Sequence, residues 1–331
     1  MSSAFEVPVV KVKLRPHPNA DMLSIVDVFG WQVVVRSDEW RDGDLGAFVR
    51  PDSIVPERLE WFFLEGKRRI KTRRFRKEWS HGLLIHAPSG SHCGDNVAAL
   101  LGIVAYEPPE RHGGSSPPPR GWWARVIAYL SKPRGPRGVF PFYDVEHLRR
   151  WAELIQPGDP VFVTEKIHGA NALYTWRKGC FGLGKVFMRS RSVWQTGGWW
   201  KKALDATPAL VAFLKAHPGV AVFGEVYGSG VQELTYGVPS PRFVAFDIWE
   251  KGTWWPLEKS IFRLARFDVP MVPLLDSGGY DPAEALRLAN ENSELARRHG
   301  KTQISEGIVI RRTGTEKIQL KLVSDRYLEK A

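Results

Sequence analysis

Lys166 sits in the run Glu165-Lys166-Ile167-His168-Gly169-Ala170-Asn171, directly after the β-type stretch Val161-Phe162-Val163-Thr164. A lysine attacks an electrophile only as the neutral amine, which a reference pKa of about 10.4 makes rare at neutral pH. Desolvation or neighbouring cations can shift that balance by several units, so a lysine at an interior strand end, beside a glycine turn, is a candidate nucleophile. An isolated Lys-x-His-Gly is far more often ordinary surface chemistry; the case rests on the residues downstream of it. Val222-Phe223-Gly224-Glu225-Val226-Tyr227-Gly228 puts a carboxylate in an otherwise apolar strand between glycines. Phe243-Val244-Ala245-Phe246-Asp247-Ile248 adds an aromatic and a carboxylate, and Ser305-Glu306-Gly307-Ile308-Val309-Ile310 a carboxylate at the mouth of a hydrophobic strand. Alternation in Lys317-Ile318-Gln319-Leu320-Lys321 puts Lys317, Gln319 and Lys321 on one strand face, and the same reasoning pairs Arg189 with Arg191.

These groups need a scaffold of strands, and the pattern supplies one. Helical periodicity covers 145–154, 200–216 and 282–299, the last opened by Asp281-Pro282 as N-cap and N1. β-type runs cover 160–164, 186–191, 220–226, 242–249, 307–311 and 317–322. Upstream, 7–14, 24–29 and 31–35 are short runs rich in Val, Ile and aromatics, broken by turn chemistry at Pro16-His17-Pro18-Asn19 and Phe29-Gly30. That is the pattern of a small all-β barrel. Between the halves, the stretch from Pro108 to Pro119 has no apolar periodicity and reads as a linker. The expected organisation is residues 1–107 as the β module, 108–120 as the linker and 121–331 as an α+β domain.

The ordered set resembles the covalent nucleotidyltransferases, the superfamily of polynucleotide ligases and capping enzymes. Six motifs occur in that superfamily's order between Glu165 and Lys321: the lysine run, the Ser-Arg strand, the Gly-Glu strand, the aromatic strand, the Glu-Gly strand and the terminal lysine strand. His168, where DNA ligases and capping enzymes usually carry Asp, and Asn171 are similar to the nick-sealing RNA ligases. The fold implied is an N-terminal OB-fold β-barrel followed by a nucleotidyltransferase (ATP-grasp-like ligase) domain of antiparallel sheets and helices. An N-terminal β module, with Arg15-Pro16-His17-Pro18-Asn19-Ala20-Asp21-Met22-Leu23 similar to the start of tRNA-binding OB modules, resembles the arrangement of the Deinococcus-type RNA ligases. With about ten residues after Lys321, the C-terminal domains of other branches are not expected here.

The resemblance implies roles residue by residue. Lys166 would take AMP from ATP; Glu165 would fix the adenine and Phe246 stack on it; Arg191, or Arg189, and Glu225 would hold the ribose. Lys321 would touch the α-phosphate. Glu306, with Asn171, would serve Mg²⁺ or Mn²⁺, hard carboxylate oxygens suiting a hydrated divalent ion; His168 would line the same phosphate side. RNA 3′-OH and 5′-phosphate ends would then be sealed, in a nicked RNA or RNA–DNA hybrid duplex, as in RNA repair. Two departures stand out: Gln319 occupies a lysine position of the last motif, with Lys317 as a substitute, and Thr164 replaces an arginine common in related phage enzymes. Alternatives within the superfamily are a DNA ligase or a capping-type enzyme; outside it, a catalytically silent RNA-binding protein.

The remaining features bound the reading. With 47 Lys+Arg against 36 Asp+Glu, the net charge of +11 suits a polyanionic partner. The densest basic stretch holds Lys67, Arg68, Lys71, Arg73, Arg74 and Arg76, with Ile70 and Phe75 interleaved, as on a surface that follows a phosphate backbone; a solvated basic face is the competing reading. Two cysteines, Cys93 and Cys180, form no disulfide framework, and His17, His81, His86 and His92 fit no zinc spacing. No apolar run is long enough for a membrane helix and no secretion signal opens the chain, so a monomer in the cytoplasm is expected.

Overall fold

The computed structural model describes residues 5–57, 68–106, 122, 135–136, 140–178, 184–314 and 317–330. Lys67, Cys180 and the expected linker at 108–120 lie outside these residues.

The N-terminal half is built of short antiparallel strands. Leu23–Val28 and Trp31–Arg36 form a hairpin whose two turn residues, Phe29 and Gly30, both have positive φ (49° and 72°), the backbone that matches strand twist in a two-residue loop. With Leu14–Pro16 they make one three-stranded sheet; Val9–Lys11, Leu45–Val49 and Leu83–His86 make a second. Val26, Val28, Trp31, Val33, Val35, Trp40 and Phe48 are buried in one cluster of this module. A small hairpin, Arg73–Phe75 with Glu78–Ser80, turns on Arg76 and Lys77, both left-handed without being glycine (φ 45° and 76°). Asn19 offsets that cost by donating from Nδ2 to the Arg76 carbonyl at 3.0 Å, and a His17 ring nitrogen meets the Phe75 carbonyl at 3.1 Å.

The C-terminal half holds two sheets. One has six antiparallel strands in the order Trp194–Gln195, Gly184–Arg189, Ala170–Lys178, Ala221–Tyr227, Arg242–Glu250 and Thr253–Trp254. The other runs Glu146–His147, Gln319–Val323, Gly307–Arg312, Pro160–Glu165 and Leu274–Gly279. Its first pair is parallel, a departure from the all-antiparallel expectation. The helices Gly198–Asp205 and Pro208–Ala216 cover the larger sheet, where Leu210, Phe213 and Leu214 are fully buried against Tyr174 and Val222. Pro282–Ala289 lays Ala285 and Leu288 on Ile308, Ile310 and Leu320 of the smaller sheet.

Three expected helices are revised. The segment 200–216 is two helices, because Pro208 sits at N1 of the second and drives Thr207 out of the helical region (φ −130°, ψ 67°). The segment 282–299 is also two: Ser293 starts Glu294–Arg298 as an N-cap, its hydroxyl accepting from the Ala296 N–H at 2.9 Å. At 145–154 no α-helix forms. Glu146 and His147 pair with Leu320 and Lys321 as a strand, and two short 3-10 turns follow at Leu148–Arg150 and Ala152–Leu154. The strand expected over 186–191 ends at Arg189, so Arg191 is not its face-mate.

The two halves pack together. Leu328, on the terminal helix Asp325–Lys330, is buried with Trp31, Trp40 and Phe48. Asp325 Oδ1 lies 2.8 Å from His81 Nε2 and 2.9 Å from an Arg149 amino nitrogen, and Arg149 lies over the Trp31 ring at 4.5 Å. His81 and Arg149 hold the Asp325 carboxyl down at about 2 against the upward push of burial.

Candidate active site

A cavity of about 210 Å³ opens between the two C-terminal sheets, lined by Glu165, Lys166, Asn171, Arg191, Glu225, Phe246 and Lys321 among others. Seven residues singled out from the sequence thus converge on one space. Lys166 leaves the end of strand Pro160–Glu165, and its N–H donates to the Gly307 carbonyl at 2.9 Å, which fixes where the side chain starts. The chain then turns at Gly169, where an added Cβ would lie 2.2 Å from the Val226 carbonyl oxygen and 2.9 Å from Glu225 Cγ. Only glycine lets the lysine strand approach the Glu225 strand this closely. Gly307 does the same on the other side, with φ 143° and the Leu322 carbonyl 2.2 Å from an ideal Cβ.

Lys166 Nζ lies 2.5 Å from Glu306 Oε1, and His168 Nδ1 lies 3.8 Å from the other oxygen of that carboxylate. Burial would push Glu306 up, but Lys166 and His168 overcome it and hold the carboxyl at about 2. Glu225 goes the other way. Burial, with the Glu306 charge adding to it, pushes its carboxyl up to about 8 although Lys166 opposes. Burial also raises Glu165 to about 7, partly offset by the bonds its carboxylate accepts from Ser293 and the Leu295 N–H (2.8 Å). Two neighbouring carboxyls with opposite shifts allow one anion and one proton-bearing group beside the same lysine. Lys321 is pulled below the usual lysine range by burial first and by Lys166 second.

The two arginines and the remaining expected residues divide between the cavity and its supports. Arg189 donates to the carbonyls of Phe140 (3.3 Å) and Pro141 (2.6 Å), anchoring the segment that carries Tyr143 and Asp144 to the cavity. Arg191 is the arginine of the pair that lines the space, exposed and 2.7 Å from Asp144. Lys317 is committed elsewhere, 2.8 Å from Asp247 and over the Trp254 ring at 3.2 Å. His168 stands next to the cavity: its N–H donates to the Tyr236 hydroxyl at 2.6 Å, and its ring nitrogen Nδ1 meets the Tyr327 hydroxyl at 3.2 Å. Asp247, 2% exposed, receives Arg311, Lys317 and the Tyr143 hydroxyl, so it organises charge rather than facing a ligand.

Sequence reasoning missed Tyr143, Asp144, Arg311, Tyr236 and Tyr327. Tyr143 packs 4.4 Å from the Phe246 ring, and Tyr327 arrives from the last helix; neither carries a local signal. Arg311 had one, since it alternates with Val309 on a strand already identified.

In the N-terminal module, Arg73, Arg74 and Arg76 are exposed on the small hairpin, and Arg68 and Lys71 are exposed ahead of it. Ile70 is buried and Phe75 is 40% exposed, so the apolar residues between the cations divide between core and surface. The four histidines do not gather: His81 is bound to Asp325, His86 stacks on Trp40 and His17 braces the hairpin. Among the described residues no helix is long and apolar enough to cross a membrane, and no group of three or more His, Cys, Asp or Glu is placed to hold a metal unaided.

Residues 159–323 match the RNA ligase family, and residues 7–87 match an OB-fold domain. No curated protein matches the chain. Among solved structures, it is similar to a lysine-to-alanine variant of Naegleria gruberi RNA ligase with ATP and Mn, at 21% identity, 99% coverage of both chains and a TM-score of 0.77. It is also similar to the same organism's RNA ligase with pyrophosphate, at 22% identity, 98% coverage of both chains and a TM-score of 0.76. These likenesses establish the fold, with the N-terminal module as an OB-fold domain.

Proposed function

This chain belongs to the RNA ligase family, and from that premise we propose that it is an ATP-dependent ligase sealing an RNA 3′-hydroxyl to a 5′-phosphate, with Lys166 as the residue that becomes adenylylated. The observation that carries this reading is Lys166 in the cavity wall, bonded to an anionic Glu306 and flanked by Glu165, Glu225, Phe246 and Lys321. Family membership speaks against the capping and DNA-ligase alternatives.

In the proposed reaction the neutral Lys166 amine attacks the α-phosphorus of ATP. A P–N bond forms, the P–O bond to the β-phosphate breaks, pyrophosphate departs and the amine proton passes to solvent. Lys321 neutralises charge building on the α-phosphate, since a fixed, partly buried cation acts more strongly than one in bulk water. Phe246 and Tyr143 offer ring faces to the adenine, and Glu165 offers a carboxyl oxygen that is buried without a partner. Arg191 and Glu225 serve the ribose. AMP then passes to the RNA 5′-phosphate through a new phosphoanhydride, and the 3′-hydroxyl displaces it. Naegleria gruberi RNA ligase has been solved with ATP and Mn and with AMP and Mn, which supports this choice of nucleotide and metal.

A divalent ion, Mg²⁺ or Mn²⁺, fits this donor set. Glu306 Oε2 is buried and lacks a hydrogen-bond partner, and Asn171 lines the adjoining wall. Two protein ligands suffice, because such ions keep several waters and take the rest from substrate phosphates. When bound, the ion would supply positive charge to the phosphates; Glu306 and Asn171 are the residues to hold it.

The OB-fold domain is proposed to dock the nucleic acid, a nicked RNA or RNA–DNA hybrid duplex, on Arg68, Lys71, Arg73, Arg74 and Arg76, with Lys67 of the same stretch. The terminal helix that bonds His168 through Tyr327 also binds the module through Asp325, so this basic face and the cavity share one support. A monomer is the proposed state. The test is ligation of a singly nicked duplex with either template. Sealing of RNA 3′-OH nicks, with accumulation of the adenylylated 5′ strand when the 3′ end is deoxy, is the expected result; sealing of single strands but not nicks would overturn the duplex assignment.

A further inference from the structure

The terminal helix Asp325–Lys330 follows directly from the strand Gln319–Val323, and its side chains divide between the two domains. Asp325 meets His81, and Leu328 is buried with Trp31 and Phe48, so the OB-fold domain grips the helix from one side. The Ser324 N–H, one residue ahead of the helix, donates to the Glu306 carbonyl at 2.9 Å, and the Asp325 N–H donates to Asn290 Oδ1 at 2.9 Å. Tyr327 stands between these anchors, half-buried, with its hydroxyl on the ring of His168.

His168 is held at two points. Its backbone N–H donates at 2.6 Å to the hydroxyl of the fully buried Tyr236, which fixes where the side chain starts. The ring is fixed separately. Its Nδ1 lies 3.2 Å from the Tyr327 hydroxyl and 3.8 Å from Glu306 Oε2, the buried carboxylate oxygen without a hydrogen-bond partner. The two rings also pack, with centroids 5.2 Å apart and planes inclined at 57°. An imidazole has two distinct nitrogens, and a bond to the ring decides which way each one faces. Tyr327 is not among the residues lining the cavity, yet it orients a ring that stands against Glu306.

We infer that Tyr327 is a positioning residue for AMP transfer: its hydroxyl holds the His168 ring against Glu306 on the phosphate side of the cavity, and the OB-fold domain, through Asp325 and Leu328, holds Tyr327 in place. The inference rests on the lysine-adenylylation reading of this cavity. Adenine binding, assigned to Phe246 and Glu165, should be untouched by it.

The experiment compares the full-length protein with Tyr327→Phe, His168→Ala and the double variant, with thermal unfolding of each. Tyr327→Phe keeps the ring and its packing and removes only the hydroxyl. Loss of that one hydrogen bond should lower kcat for labelling by α-labelled ATP about 10-fold, with KM for ATP within about 2-fold. In the His168→Ala background the same change should be silent within about 2-fold, because a residue that acts through the ring then has nothing to position. Nitrogen NMR spectra of histidine-labelled protein read the contact without turnover: the ring resonances missing from His168→Ala should shift in Tyr327→Phe. Should His168→Ala take no label, these spectra decide in place of the double variant. Tyr327→Phe with the wild-type kcat, an equal loss in both backgrounds, or unmoved His168 resonances would overturn the inference. Wild-type protein that takes no label would instead overturn the adenylylation reading on which it rests.

Discussion

The OB-fold domain and the ligase-family domain use cations in opposite ways. On the small hairpin, Arg73, Arg74 and Arg76 stand exposed on a turn held by His17 and Asn19. In the cavity, Lys166, Lys321 and Arg311 sit among carboxylates of two sheets, Lys166 bonded to Glu306 and Arg311 to Asp247. Water and salt screen the first group, so in the proposed docking role each residue would contribute a small, interchangeable share of affinity for a polyanion. The second group is wholly or partly buried, where a missing charge is less readily made good by solvent or by its neighbours. Substitutions in the cavity should therefore change chemistry by large factors, and substitutions on the hairpin should change binding by small, additive ones.

The largest effect expected, after loss of Lys166 itself, is at Glu306. Glu306→Ala should cut the rate of Lys166 labelling about 10²–10³-fold, measured in single turnover, because it removes the carboxylate bonded to the proposed nucleophile and the oxygen proposed for the metal. A loss under about tenfold would mean that the carboxylate only positions the lysine. Next comes Phe246→Ala, which should raise the KM for ATP about 10-fold with a smaller change in kcat, since stacking on a base contributes ground-state binding. An unchanged KM would place the adenine elsewhere.

Stability should carry a signature of Glu225. Its carboxyl is raised to about 8 in the folded chain, above its ordinary unfolded value, so the native state holds the extra proton between those limits and stability falls as pH rises through them. Glu225→Gln carries no such proton. Its Tm relative to wild type should therefore climb by a few degrees from about pH 5 to about pH 8.5; a constant difference would show that the carboxyl is ionised throughout. The smallest effects belong to the hairpin. Replacing Arg73, Arg74 and Arg76 with Ala should leave ATP labelling intact and lower the slope of log K against log salt for duplex binding by about 2 to 3. Point substitutions suit this test better than excision of residues 1–107, because Leu328 and Asp325 of the ligase-domain side are buried against Trp31 and His81 of the module.

The comparison also explains what was legible in the sequence. Site residues on strands or at their ends announce themselves: Lys166, Glu225, Phe246, Glu306 and Lys321 each mark or interrupt an apolar run, and a polar residue that must face a ligand has to break the pattern that buries its strand. Register between strands leaves no such trace. That Arg311 lies opposite Gln319, or that Asp247 faces Lys317 and Tyr143, depends on pairings far apart in the chain. The helix expected at 145–154 failed for the same reason, its local periodicity yielding to pairing of Glu146 and His147 with Leu320 and Lys321. The Arg189–Arg191 face-mate reading failed more locally, because the strand stops between them.

The most direct test of the central claim is incubation of the purified chain with α-labelled ATP and Mg²⁺ or Mn²⁺, denaturation, and peptide mapping of the label, with Lys166→Ala alongside. The account predicts a covalent AMP on the peptide containing Lys166, absent from the variant, that chases onto the 5′-phosphate of a nicked RNA. A label that persists in Lys166→Ala, or no label from the wild-type chain, would contradict it.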